Sequence, residues 1–219
     1  LAAGDLTTAL ADKGAVMDGI LADQIGLAIG GRFKLGAQEF TLKGRILLHV
    51  CCAPCSTVAV ERLLEEGWGV VLFFSNSNIH PGEEYCKRLA EARSLASTME
   101  LELVEDVYDH KAWLECVRGL ENEPERGRRC LKCFQYNLRR TAATMEHLGL
   151  DCFTTTLTVS RHKSSGDIFA VAAALPGFIA MDFKKRDGYA RSIALSRTLE
   201  LYRQGYCGCE FSMVRRGTK

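Results

Sequence analysis

Residues 45–56 read RILLHVCCAPCS, and the fold turns on how they are read. The run Arg45-Ile-Leu-Leu-His-Val is almost continuously apolar, as in a strand buried on both faces of a parallel sheet rather than one with a wet side. Three thiols, Cys51, Cys52 and Cys55, follow at the turn. The next segment, STVAVERLLEEG, has helical spacing, with Ser56 as N-cap and Gly67 as its stop. In many sheets of this kind the first strand-to-helix turn is a glycine-rich phosphate loop. Here there is no glycine run and no Lys-Ser/Thr, so the turn offers sulfur in place of backbone amides. It is built for a soft metal.

Outward from this turn, strands and helices alternate. WGVVLFFS is a second strand, NSNIHP a loop, and GEEYCKRLAEARSLASTM a helix with Pro81 at its first position. LELVEDV is a third strand, DHKAWLECVRGL a short helix, and ENEPERGR a polar connection. A long helix is predicted from Cys130 to His147, ending at Gly149. CFTTTLTVS is a β-branched strand, Asp167 to Ala174 a helix, GFIAMDF a strand and YARSIALSRTLELYRQ the last helix. The order βαβαβααβαβα predicts an α/β fold, a doubly wound parallel sheet flanked by helices. Ligands of such sheets lie outside the carboxyl ends of the strands, near the point where strand order reverses.

Residues 1–44 are Gly/Ala-rich, with Met17, Ile20, Leu21 and Ala28 at spacings that permit an amphipathic helix. They are read as an N-terminal extension without assigned chemistry, leaving 45–219 as the working domain. A chain of 219 residues, 47% hydrophobic and 25% charged, is long enough to bury the core of one such domain. No stretch approaches the roughly 20 apolar residues of a membrane span, and no basic-then-apolar leader is present. The expectation is a cytoplasmic protein, where ten cysteines point to metal or redox chemistry rather than to a disulfide framework. Charge is uneven: residues 151–219 carry 11 Lys and Arg against 6 Asp and Glu, while residues 1–150 carry 17 against 21. The C-terminal third is the candidate surface for a polyanion.

RRCLKCFQYNLRR puts Cys130 and Cys133 on one face at a helix start, where the positive end of the helix favours thiolates. Joined by Cys51 and Cys52, they make four sulfurs, suited to tetrahedral zinc or to an iron–sulfur cluster. In YRQGYCGCEFS, Cys207 and Cys209 flank a glycine. They read as a metal pair or, better, as a redox pair, since a permanent bridge over so short a loop would stabilise little. Cys86, Cys116 and Cys152 read as core. His49, ending the first strand, reads as a satisfied buried histidine rather than a base. His80 is balanced between lining a pocket and capping backbone groups; Asn78 and Tyr85 are weaker candidates. The TTTLT run is accounted for by β-propensity, although its hydroxyls near a strand's carboxyl end can bind a ligand.

The set LLHVCCAPC, NIHPGEEYCKR, RCLKCFQYNL, DCFTTTLTVS, DFKKRDGYARSIALS and LYRQGYCGCEFS, in that order over about residues 45 to 213, resembles the cobalamin-independent, iron–sulfur epoxyqueuosine reductase family. That resemblance implies a 4Fe–4S cluster on Cys51, Cys52, Cys130 and Cys133, a redox-active pair at Cys207 and Cys209, and no cobalamin. It implies the last step in making queuosine, the reduction of epoxyqueuosine at the wobble position of transfer RNA, with an electron donor that the sequence does not identify. The sheet is expected to resemble adenine-nucleotide-hydrolase-like (HUP-type) architecture without its phosphate loop. A further metal ion beside the cluster is expected, with Cys55 as candidate ligand. One departure is the loop SRHKSSGD, which lacks a proline after Ser160. Lys184, Lys185, Arg186, Arg191 and Arg203 are expected to meet phosphates, and Tyr189, Tyr206 or Phe134 to stack on a base. Two other classes compete: a zinc-stabilised tRNA-binding module, and an ATP-dependent tRNA sulfur-transfer enzyme, which would need the phosphate loop that CCAPCS replaces.

Overall fold

The computed structural model describes residues 32–35, 38–41 and 43–213. The helix considered around Met17 to Ala28 lies outside the described residues. Two short strands, β1 (Arg32–Leu35) and β2 (Gln38–Thr41), pair antiparallel. The α/β body then runs β3 (Gly44–His49), α1 (Ala53–Glu65), β4 (Trp68–Phe74), α2 (Gly82–Thr98), β5 (Glu102–Glu105), α3 (His110–Cys116), α4 (Arg128–His147), β6 (Phe153–Thr155), α5 (Ser165–Ala172), α6 (Gly188–Thr198) and α7 (Glu210–Met213). Among the described residues no helix is long and apolar enough to cross a membrane.

Strands β3 to β6 form one all-parallel sheet in the order β5-β4-β3-β6. The chain steps outward from β3 through β4 and β5, then crosses back to lay β6 on the other side of β3. Strand order therefore reverses between β3 and β6, and the crevice at their carboxyl ends is where such a sheet binds its ligand.

The apolar run of β3 follows from burial on both faces. Ile46 and Leu48 share a core with Val58 and Leu63 of α1, Leu95 of α2 and Leu195 of α6. Leu47, facing the other way, packs with Phe73, Phe153, Leu138 and Met145 of α4, and Ile168 of α5. Ile46, Leu47, Leu48, Leu138 and Ile168 are completely buried, and each such side chain contributes roughly 1.5–3 kcal/mol.

Three details differ from the sequence expectation. Helix α1 begins at Ala53 with Cys52 as its N-cap (φ −171°, ψ 154°), while Ser56 lies inside the helix, its Oγ donating to the Cys52 carbonyl at 3.0 Å. Pro54 explains this: its fixed φ and missing N–H suit the first turn. Gly67, at φ 85°, stops the helix as expected, its N–H reaching the Leu64 carbonyl at 2.9 Å. Second, the β-branched segment is a strand only to Thr155, then closes as a 3₁₀ turn over Thr156–Val159 whose Leu157 N–H is capped by Thr155 Oγ1.

Third, GFIAMDF is not a regular strand. It runs beside β6 but forms only the single parallel bridge Phe153–Phe178. Beyond it, Thr154 Oγ1 donates to the Ile179 carbonyl and Thr158 Oγ1 to the Met181 carbonyl, both at 2.9 Å. Threonine hydroxyls take up acceptors that a ladder of backbone N–H groups would otherwise use. The main sheet has four strands among the described residues.

Candidate active site

The first wall of the site is the β3–α1 turn. Beneath it His49 is completely buried; its Nε2 donates to the Ser75 carbonyl (3.1 Å), so its Nδ1 accepts from the Thr155 hydroxyl (2.8 Å). Burial lowers its pKa. It is the satisfied structural histidine that its position suggests, and it clasps β3 to β6 at the reversal point. One residue on, the Thr156 hydroxyl accepts from the Cys51 N–H (2.9 Å) and lies 3.2 Å from Cys51 Sγ.

With Cys52 as N-cap and Cys55 in the first turn of α1, the sulfurs of Cys51, Cys52 and Cys55 all lie within 4.8 Å of one another, Cys51 and Cys52 being 3.9 Å apart. They sit at the positive end of the helix. Hydrogen bonds from Cys51 and Cys55 pull the Cys52 thiol well below its usual range. The cost falls on Cys55, which donates to Cys51 and Cys52, is half-buried and is pushed well up. Three sulfurs so close cannot all ionise unless a cation joins them.

The second wall is the start of α4. The preceding polar connection folds onto Arg129, which is buried and donates from one guanidinium nitrogen to the carbonyls of Leu120 (3.2 Å), Glu121 (2.9 Å) and Glu123 (2.7 Å). At the N-cap Gly127, an added Cβ would meet Glu123 Oε2 at 2.7 Å and the Pro124 carbonyl at 2.9 Å. This tight turn presents Cys130 and Cys133 to the cavity, and the Arg126 N–H lies 3.3 Å from Cys130 Sγ. Burial raises both thiols, Cys133 well above its ordinary value, with Cys207 adding to the push.

The third wall is the Cys-Gly-Cys loop, held from outside itself. Arg88, 2% exposed, donates to the Cys207 carbonyl (3.0 Å) and to Glu84 of its own helix (2.7 Å). The His80 N–H donates to the Gly208 carbonyl (2.9 Å), and the Tyr206 hydroxyl to the His80 carbonyl (2.5 Å). His80 thus ties backbone to backbone rather than lining the cavity with its ring. Gly208 adopts φ +144°, and a Cβ there would meet Asn78 Nδ2 and Ile79 Cγ1 at 3.2 Å. Only glycine fits.

These walls enclose a cavity of about 360 Å³ lined by Cys51, Cys55, Cys130, Cys133, Cys207 and Cys209. Cys52 completes the triad behind Cys51. The structure therefore brings all six predicted site cysteines to one region, but only Cys51, Cys52 and Cys55 to the mutual separation of metal ligands. Cys86 and Cys116, expected in the core, are exposed, whereas Cys152 is buried; all ten cysteines are free thiols. Asn78 lines the cavity, accepting from Asn137 at 3.0 Å. Tyr85 does not line it; it stacks on Tyr108 (4.1 Å), and burial pushes its hydroxyl up to about 12.

Phe134, Tyr189, Tyr206 and Arg203 line the cavity as expected. The other predicted cations lie off the cavity lining. Arg191 pairs with Glu61 (3.1 and 2.5 Å), Lys184 holds the carbonyls of Ser160 (3.3 Å) and Lys163 (2.5 Å), and the carbonyls of Lys185 and Arg186 accept from Arg62. In their place stand Arg126, Arg129, His162 and Lys163, which the sequence reading missed. Burial alone would lower the Lys163 pKa, but the thiols of Cys207, Cys51 and Cys55 around it more than reverse that and keep it charged. The signal was available: SRHKSSGD follows β6 and its 3₁₀ turn, at the carboxyl edge of the sheet.

A crowd of thiols around fixed positive charge fits a thiophilic metal centre, and the triad fits one as it stands. Comparison with known proteins agrees in class. The family model described as "Epoxyqueuosine reductase QueH" matches residues 46–215. A protein of that name from Streptococcus pyogenes serotype M1 is 38% identical over 191 residues, covering 82% of this chain and 74% of its own. One from Acinetobacter baylyi is 37% identical over 175 residues, covering 77% and 80%, and one from Dehalococcoides mccartyi is 34% identical over 177 residues, covering 78% and 94%. With a thiol-lined crevice at the reversal point of its sheet and a family match running from β3 past α7, this chain belongs to the epoxyqueuosine reductase QueH family of oxidoreductases.

Proposed function

We propose that the chain reduces epoxyqueuosine to queuosine at the wobble position of transfer RNA, using residues 45–219 for the chemistry. The observation that carries this reading is the convergence of thiols from three distant segments, with a charged lysine, on one cavity at the sheet's reversal point. In the reaction both carbon–oxygen bonds of the epoxide break, a carbon–carbon double bond forms and the oxygen leaves as water, which takes two electrons and two protons. The dithiol of Cys207 and Cys209 supplies both when it closes to a disulfide, and an external electron donor reopens it.

We assign Cys51, Cys52, Cys130 and Cys133 to a 4Fe–4S cluster and Cys55 to a further metal ion beside it. When bound, the cluster supplies single-electron transfer and Lewis acidity toward oxygen. The chain's own groups do the rest. Lys163 holds a proton at Nζ where the departing oxygen gathers charge. Arg203 and Arg126 draw the anticodon phosphates, and Phe134, Tyr189 and Tyr206 give a base apolar faces to stack on and displace water. A reducing, cytoplasmic setting belongs to the same proposal, supported by ten free thiols.

The test is anaerobic incubation with transfer RNA carrying epoxyqueuosine and a strong reductant, followed by nucleoside mass analysis. Loss of one oxygen from the modified base is the expected result. An unchanged base, with brown cluster-loaded protein present, refutes the reading, and colourless zinc-loaded protein that still binds the RNA would favour a zinc-stabilised binding module.

A further inference from the structure

We propose that His80, His110 and Glu210 form a zinc-type divalent cation site, separate from the thiol cavity, that pins the Cys207–Cys209 loop. One donor atom from each side chain lies within 4.8 Å of the other two. The three come from separate segments: the loop before α2, the first residue of α3 and the first residue of α7. None of them lines the thiol cavity; Trp113, which does, stacks on His110 with ring centroids 5.5 Å apart.

The hydrogen bonds point to a cation between these groups. His110 Nδ1 is 2.8 Å from the Ser77 carbonyl oxygen, which can only accept, so Nδ1 carries the proton. Nε2, the ring's other nitrogen, then faces Glu210 Oε1 at 3.0 Å. Positive charge joins that nitrogen to the carboxylate oxygen: a proton serves in the ion pair as it stands, and a bound divalent cation would take the proton's place. Glu210 Oε2, meanwhile, is buried without a hydrogen-bond partner. The ring of His80 contributes only a stack on His110 at 5.1 Å, and its hydrogen bonds are those of its backbone.

Donation of the far ring N–H to a backbone carbonyl is how metal-binding histidines are fixed in orientation and tautomer. Zinc bonds to His nitrogen and carboxylate oxygen of about 2.0–2.2 Å place tetrahedral ligand atoms about 3.3 Å apart. The His110–Glu210 separation is already close to that, and rotation of the His80 side chain closes the remainder. His110 and Glu210 keep side-chain exposures of 15% and 27%, leaving an entry path and room for water as fourth ligand. Because Glu210 follows Cys209 and His80 holds the Gly208 carbonyl, an ion joining them fixes the loop from both sides.

The site does not depend on the epoxyqueuosine reading, and its test uses no RNA. Cadmium or zinc is added to anaerobically purified protein, wild type beside His80→Ala and Glu210→Gln. Wild-type cadmium NMR is expected to give a resonance in the nitrogen/oxygen-ligand range, apart from thiolate-bound cadmium. Both variants lose that resonance while thiolate resonances and far-ultraviolet circular dichroism stay unchanged. Zinc affinity by chelator competition falls at least about tenfold, the lower end of the loss from removing even an outer-sphere partner. Absence of that resonance in wild type, or its survival in both variants, overturns the site. Should Glu210→Gln lose the fold, His80→Ala decides alone, because the backbone bonds of residue 80 are untouched.

Discussion

The thiols of the β3–α1 turn and those of the Cys207–Cys209 loop face one cavity but are positioned by different means. Cys51, Cys52 and Cys55 are placed by a strand end, a helix cap and a first turn within five residues, with Thr155 of β6, Thr156 of the 3₁₀ turn after it and His49 of β3 bracing them. Cys207 and Cys209 sit in a loop whose geometry is imposed by Arg88, His80 and Tyr206. A locally built ligand set stays in register as long as the sheet does. A clamped loop is only as well placed as its clamps, which suits the redox role proposed for this pair.

The contrast can be broken by attacking the clamps. Arg88→Leu leaves Glu84 without its buried partner and frees the Cys207 carbonyl; losing one half of a buried pair costs about 3–5 kcal/mol, seen as a lower urea midpoint with the visible absorption of the proposed cluster retained. Gly208→Ala forces a Cβ against Asn78 and Ile79 at a backbone angle that suits glycine. On the proposed redox role of the pair, displacement of reacting groups by about 1 Å costs on the order of 100-fold in turnover, so single-turnover reduction should fall by that factor while loading of the proposed iron centre stays unchanged. On the other side, Thr155→Val removes the donor to His49 Nδ1 and the cap of Leu157. Leaving buried partners unsatisfied costs about 1–3 kcal/mol, and loading of the proposed iron centre should fall together with stability. Arg191→Ala breaks only the ion pair to Glu61, whose arginine is 45% exposed. Denaturant melts should move by less than about 1 kcal/mol, and affinity for transfer RNA should not change.

The sheet was legible because burial on both faces of β3 leaves a continuous apolar run, and the lack of glycine in CCAPCS identified a turn that gathers sulfurs instead of backbone amides. The spacing of Cys130 and Cys133 gave their shared helical face directly. What was not legible depends on partners far along the chain. GFIAMDF has the composition of a strand, but hydroxyls from Thr154 and Thr158 occupy its carbonyls. Ser56 has the residue type of an N-cap, and the constraint at Pro54 moved the helix start forward. Counting cations selected Arg191 and Lys184, which pair internally. Lys163 drew no notice because its importance comes from thiols distant in sequence, Cys207 from the C-terminal loop and Cys51 and Cys55 from the β3–α1 turn, the latter brought near by β3–β6 pairing.

That pairing also sets an order of assembly. Synthesis runs from the N-terminus and domains gather as their segments emerge, so the triad can form once α1 has folded, when α4 and the Cys-Gly-Cys loop have yet to leave the ribosome. A centre needing sulfur from both walls must wait until the crossover has laid β6 beside β3. Unlike a zinc finger, which metal folds outright, this protein would meet its inorganic partner late, on a scaffold raised mostly by its own hydrophobic core.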